Sequence, residues 1–242
     1  LPELYVVPLC IKYRYTKDMA SIIVRTLAKL ERELGITPMP IATPYERLRI
    51  VAEYLLDRFE QRHELPPLGG SGRSLNERIT RLRTYWVTSC EQRLGILAAP
   101  QKPVRERVYK IQAALEEQAE VLAQQNFEDY DVMHEIATNL LNFDAIYDGY
   151  VAASPTPERF LDTLIRMERY VFRIDYPTPK AHRQVMLQVG NPINLQDYYA
   201  DYVGDRSHVI QQVTQQLQDH VQSKLDALSA LKHSPIQPVT RP

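Results

Sequence analysis

Two stretches decide the fold: Leu4–Tyr15, LYVVPLCIKYRY, and Arg183–Leu195, RQVMLQVGNPINL. The first is dense in β-branched and aromatic residues, and from Ile11 to Tyr15 it alternates apolar with basic, which predicts a strand. Its first half is apolar on both faces, as in a buried strand, and Pro8 marks an edge or a bulge because it donates no ladder hydrogen bond. In the second, Arg183, Val185, Leu187 and Val189 alternate with Gln184, Met186 and Gln188 until Gly190-Asn191-Pro192 ends the run.

Everything between them has a helical period. Met19, Ile22, Ile23, Leu27, Leu30 and Leu34 share one face, and Gly35 stands where a helix cap belongs. Leu48, Val51, Tyr54, Leu55 and Phe59 stripe a helix over 44–64. Ser74 and Glu77 form a capping box for a helix to about Leu94. Pro103 opens a helix to about Gln125, Asp129 one to about Ala152, and Thr156-Pro157 one ending near Ile174. After the second strand a long amphipathic helix follows, roughly Ser207 to Leu231, with Val209, Val213, Leu217, Val221, Leu225 and Leu228 on its apolar side. Pro66–Gly72, PPLGGSG, reads as a linker. No internal repeat is apparent.

Two strands separated by about 165 residues of helix do not make a stable sheet alone. They are therefore expected to complete a sheet whose other strands lie in sequence outside this chain. Leu1 in place of Met points the same way.

The segments 4–15 and 183–195 resemble two strands of bacterial acyltransferases of the glycerol-phosphate and lysophosphatidic acid acyltransferase superfamily. The first looks like a strand reading V-P-V-A-I-x-Y, the second like the closing strand V-x-I-G-E-P-I. Gly190, Pro192 and Ile193 match its G-x-P-I block, with Asn191 in place of Glu. The intervening stretch, including SLNERITRLR and TPERFLDTLIRM, resembles the insertion of a cyanobacterial-type subgroup.

The resemblance implies an α/β, strongly helix-rich fold: two strands of a shared acyltransferase-type sheet separated by a multi-helix insertion. It implies a sheet strand over 1–17, the insertion over 18–178, a closing strand and helix over 179–232, and a disordered tail over 233–242. The whole protein would transfer an acyl group from acyl-coenzyme A or acyl carrier protein to a glycerol-phosphate or lysophospholipid hydroxyl. It would work in the cytoplasm, with peripheral contact to the membrane's cytoplasmic face. The insertion would serve as a substrate lid, a membrane-facing surface or a partner-binding module.

In that family a His-x-x-x-x-Asp motif supplies the general base, and a Glu-Gly-[Thr/Ser] block helps bind the acceptor's phosphate. None of His63, His134, His182, His208, His220 or His233 has an Asp five positions on, and no Glu-Gly pair occurs. No catalytic, cofactor-binding or metal-ligating residue is therefore assigned to this chain. The alternatives are a non-enzymatic helical scaffold or interaction module, and a degenerate acyltransferase that keeps the fold without the activity.

Composition narrows the field. Lys and Arg number 29 against 30 Asp and Glu, so no overall field draws the chain to nucleic acid. The two cysteines, Cys10 and Cys90, form neither a disulfide framework nor a zinc motif. No apolar run reaches the roughly 20 residues of a membrane span.

Several local clusters have ordinary explanations. Asp129, Asp131, His134 and Glu135, with Asp144 and Asp148 beyond, suggest a metal-binding bundle, but acidic residues in a first helical turn also suit the helix dipole. Gly69–Ser74, GGSGRS, lacks the Lys and spacing of a phosphate loop. Arg73, Arg78, Arg81 and Arg83, and Lys102, Arg105, Arg107 and Lys110, are candidate contacts for anionic headgroups or coenzyme A phosphates. The tyrosines Tyr13, Tyr15, Tyr147, Tyr150, Tyr198, Tyr199 and Tyr202 suit core margins or a membrane interface.

Overall fold

The computed structural model describes residues 3–39, 41–62, 65, 74–119, 127–143 and 146–230. The chain forms two units, one from residues 1–17 and 181–242, the other from 18–180. The linker-like 66–72, the tail 233–242, His63, His233, Arg73 and Asp144 lie outside the described residues.

The first unit is an antiparallel ribbon and the helices that follow it. Strands β1 (Tyr5–Val6) and β2 (Leu9–Tyr15) pair with β4 (Ile193–Asn194) and β3 (Arg183–Val189) respectively. Leu9 faces Val189 and Tyr15 faces Arg183, whereas Tyr5 faces Asn194. The register therefore slips by one residue between the two ladders. The slip is a bulge at Gly190–Pro192, opposite Pro8, where two prolines interrupt hydrogen bonding. A 3₁₀ turn, Leu195–Tyr198, and two helices, Tyr199–Gly204 and Arg206–Ala230, complete the unit.

Among the described residues the second unit holds six helices: α1 (Ala20–Leu34), α2 (Pro44–Arg62), α3 (Leu75–Arg93), α4 (Val104–Glu117), α5 (Phe127–Asn142) and α6 (Pro157–Phe172). The helices after the ribbon become α7 and α8. Each of α1 to α6 packs on the next, and α6 returns to α1, so the ring is closed. Phe59, Met19, Leu27, Leu30, Leu82, Ile111, Leu115, Ile136, Leu140, Leu161 and Leu164 are fully buried. Phe59 meets Phe143 edge to face at 5.5 Å, a preferred aromatic geometry.

Most helix ends match the expected signals. Ser74 accepts from Glu77 N–H and Glu77 returns the bond, and Thr156 accepts from Arg159 N–H ahead of Pro157. The exceptions are α4, expected to run to about Gln125 but ending at Glu117 with Gln118 as its cap, and α5. Expected to continue to Ala152, it ends at Asn142, and the chain turns through Gly149 at φ 100°, a left-handed angle that needs no Cβ. Ile146 and Val151 belong to the turns that follow, with Val151 buried.

The hairpins α1/α2 and α3/α4 are closed in the same way. Gly35 (φ 70°) and Gly95 (φ 65°) end α1 and α3, and the next amides, of Ile36 and Ile96, each donate at 2.8 Å to the carbonyls of Glu31 and Glu91. Those two glutamates are buried in last turns, where the helix dipole opposes a negative charge. Arginine compensates in both. Arg47 grips Glu31 through Nε (2.7 Å) and Nη2 (2.5 Å), and Arg107 grips Glu91 through the same atoms at 2.8 and 2.7 Å.

Candidate functional site

The feature that asks for a function is the ribbon, because its faces are reversed relative to an ordinary surface hairpin. Cys10, Lys12 and Arg14 turn toward α8. Cys10 is buried and its Sγ lies 3.4 Å from the Val221 carbonyl. Lys12 Nζ donates to Ser229 Oγ, and Arg14 Nη2 donates to the carbonyls of Leu228 (2.6 Å) and Ser229 (2.8 Å). Those carbonyls belong to the last turn of α8, where a cation offsets the negative end of the dipole. The basic residues of β2 thus serve the C-terminal end of a helix.

Six apolar residues face outward, although Tyr15, at the end of the same side of β2, is buried. Leu9, Ile11 and Tyr13 on β2 are about half exposed, and opposite them Val189, Leu187 and Val185 are 63%, 63% and 50% exposed. Six apolar side chains in three directly opposed pairs thus form one continuous face. Covering them would contribute about 1 kcal/mol each, half of what full burial gives.

The edges are open as well. Gly190 N–H donates to Pro8 C=O and Thr16 N–H to His182 C=O. Directly bonded pairs recur every second residue in an antiparallel ladder, so Lys12 and Arg14 turn their backbone groups to β3. Leu9, Ile11 and Tyr13 turn theirs outward, and among the described residues no third strand meets them. A bare edge beside an apolar face is what an incomplete sheet presents.

The other candidates are accounted for elsewhere. Glu135 is held by Arg62 at 3.0 and 3.1 Å, His134 lies beside Tyr130, and Asp148 is not on α5 at all. Among the described residues no group of three His, Cys, Asp or Glu is placed to hold a metal. Arg78 binds Asp57 and Glu60, both at 2.5 Å, and Arg107 binds Glu91, so two of the basic residues considered for headgroups serve internal ion pairs. Cys90 is buried, and desolvation pushes its thiol up to about 11, which keeps it protonated and unreactive at neutral pH. Arg183 lies 5.3 Å over the Tyr13 ring, Arg159 5.0 Å over Tyr150, and Tyr198 donates to Gln216 at 2.6 Å. His208 and His220 line an open polar groove of about 560 Å³ along α8, among glutamines.

One constellation has no sequence signal. Tyr45 donates to Asp148 Oδ1 at 2.6 Å, Arg49 Nε stands 3.6 Å from the same oxygen, and Asn76 bonds both the N–H (2.6 Å) and C=O (3.1 Å) of Asp148. Burial, then the Asp148 hydrogen bond, raises the phenol's pKa, so Tyr45 stays a donor. The adjoining crevice of about 10 Å³ has room for at most one water. The knot pins the 146–151 loop to α2 and α3 and offers a substrate no space.

No protein-family model, curated protein or solved structure matches this chain. Among the described residues no helix is long and apolar enough to cross a membrane.

Proposed function

We propose that this chain is the C-terminal part of a glycerolipid acyltransferase, contributing two strands and a helical insertion to an enzyme whose chemistry lies in another segment. The observation that carries this reading is the reversed ribbon. Lys12 and Arg14 are engaged at the last turn of α8, while the six apolar side chains of the other face stay about half exposed or more and the outward backbone groups of Leu9, Ile11 and Tyr13 meet no third strand among the described residues. That is the arrangement expected of strands that complete a larger sheet covered by further helices. The resemblance of 4–15 and 183–195 to acyltransferase strands supplies the enzyme class.

In this reading the acceptor's hydroxyl attacks the acyl thioester with a histidine of the catalytic segment as general base. The residues here position rather than react. The test is acyl transfer to lysophosphatidic acid from acyl-coenzyme A or acyl carrier protein, assayed with the full product of the coding sequence and with this chain alone. Transfer by the full product only is expected, and its absence from both with either donor contradicts the reading.

A second reading, a helical interaction module, has one observation in its favour. The ring of 18–180 is closed and has its own buried core. It predicts a full product without transfer activity.

A further inference from the structure

We infer that the helical unit is built from one hairpin module used twice, with α1/α2 and α3/α4 as interchangeable copies. The inference is independent of the acyltransferase reading. The correspondence holds at a constant offset of 60 residues: Glu31 with Glu91, Leu34 with Leu94, Gly35 with Gly95, Ile36 with Ile96, Glu46 with Glu106 and Arg47 with Arg107. Each clamp spans 16 residues and uses the same two guanidinium nitrogens. Each helix end places the same kind of residue, glycine, in the left-handed region, followed by an isoleucine amide on the clamp glutamate's own carbonyl.

Burial follows the same offset. Leu27 and Val87, Leu30 and Cys90, Leu48 and Val108, Val51 and Ile111, and Leu55 and Leu115 are buried pairwise. Chance explains a shared glycine cap, which many helices have. It does not explain a buried last-turn carboxylate, its bidentate arginine and the spacing between them recurring together. Removing one partner of a buried pair is strongly destabilising, so the glutamate and arginine must be kept or lost jointly. They mark the module, while the residues between them diverge. In the closed ring the copies occupy unlike places, since α1 packs on α6 and α4 on α5.

Interchangeability is tested in the whole chain by replacing residues 31–47 with the residues of 91–107, a substitution that alters no length. The chimera is expected to keep its helical circular dichroism and a cooperative thermal transition within about 10 °C of the parent. A second comparison uses double-mutant cycles of Glu31→Gln with Arg47→Gln and of Glu91→Gln with Arg107→Gln, or Glu→Asp where the Gln variant does not fold. Two couplings equal within about twofold are expected. A chimera without a cooperative transition, or a coupling present in one clamp and absent from the other, overturns the inference.

Discussion

Gly190 lies so close to Pro8 that a Cβ built on it would stand 3.2 Å from the proline's Cβ and 3.3 Å from its Cγ. The same two residues share a hydrogen bond, Gly190 N–H to Pro8 C=O at 2.8 Å, at the point where the ribbon's register slips. The glycine of the G-x-P-I block thus sits where a Cβ would press a few tenths of an ångström too close on the pyrrolidine ring.

Gly190→Val is expected to cost about 1–3 kcal/mol by forcing the two strands apart. The amides of Lys12 and Met186, which face across the ladder, should exchange roughly tenfold faster or more, since 1.4 kcal/mol is a factor of ten. The unfolding midpoint followed by Trp86, the single tryptophan, should stay in place because it lies in the other unit.

The outward face predicts a solubility effect with little effect on stability. Leu187→Glu puts a charge on a residue that is already 63% exposed, so the stability of this chain by urea unfolding should change by less than about 0.5 kcal/mol. Binding of a hydrophobic dye should fall, and on the acyltransferase proposal the same change in the full product of the coding sequence should abolish acyl transfer by placing a charge inside the proposed larger sheet.

Breaking a clamp should destabilise the helical unit far more than breaking an exposed ion pair. Glu91→Ala leaves the Arg107 guanidinium buried without its carboxylate, with an expected loss of about 3–5 kcal/mol by urea unfolding. Glu135→Ala breaks an ion pair of similar geometry in which both partners are more than a third exposed, and should cost less than about 1 kcal/mol.

Cys90 makes stability fall at high pH. Its thiol is raised from 9.0 to about 11 in the folded chain, so between those values the folded state holds a proton that the unfolded state has released. The stabilisation is complete below pH 9 and declines by about 2–3 kcal/mol as pH rises to about 11. Cys90→Ala should make the urea midpoint measured between pH 8 and 11 fall less steeply, the remaining fall coming from tyrosines such as Tyr45 whose phenols are also held protonated by burial.

Strand and helix positions were legible because their signals are local: alternation in 183–189, capping at Ser74 and Thr156, and a glycine after Leu34. What failed to show were relations across distance. The direction of the ribbon could not be read, because alternation of apolar with basic says which residues share a face and not which face meets α8. Arg14 as a helix cap, with its partners 214 and 215 residues away, leaves no pattern in the chain. The same holds for Tyr45 with Asp148, 103 residues apart. The hairpin pair escaped because its copies share mainly the clamp and cap positions, whose common role emerges only once Glu31 is seen in the grip of Arg47.

The measurement that tests the central claim most directly is to read the coding sequence for roughly two hundred codons ahead of Leu1 in the same frame. The account predicts a His-x-x-x-x-Asp motif followed by Glu-Gly-[Thr/Ser], within a pattern of alternating strands and helices able to continue the sheet at β2 or β3. A start codon next to Leu1, or an in-frame sequence with neither motif, would contradict it.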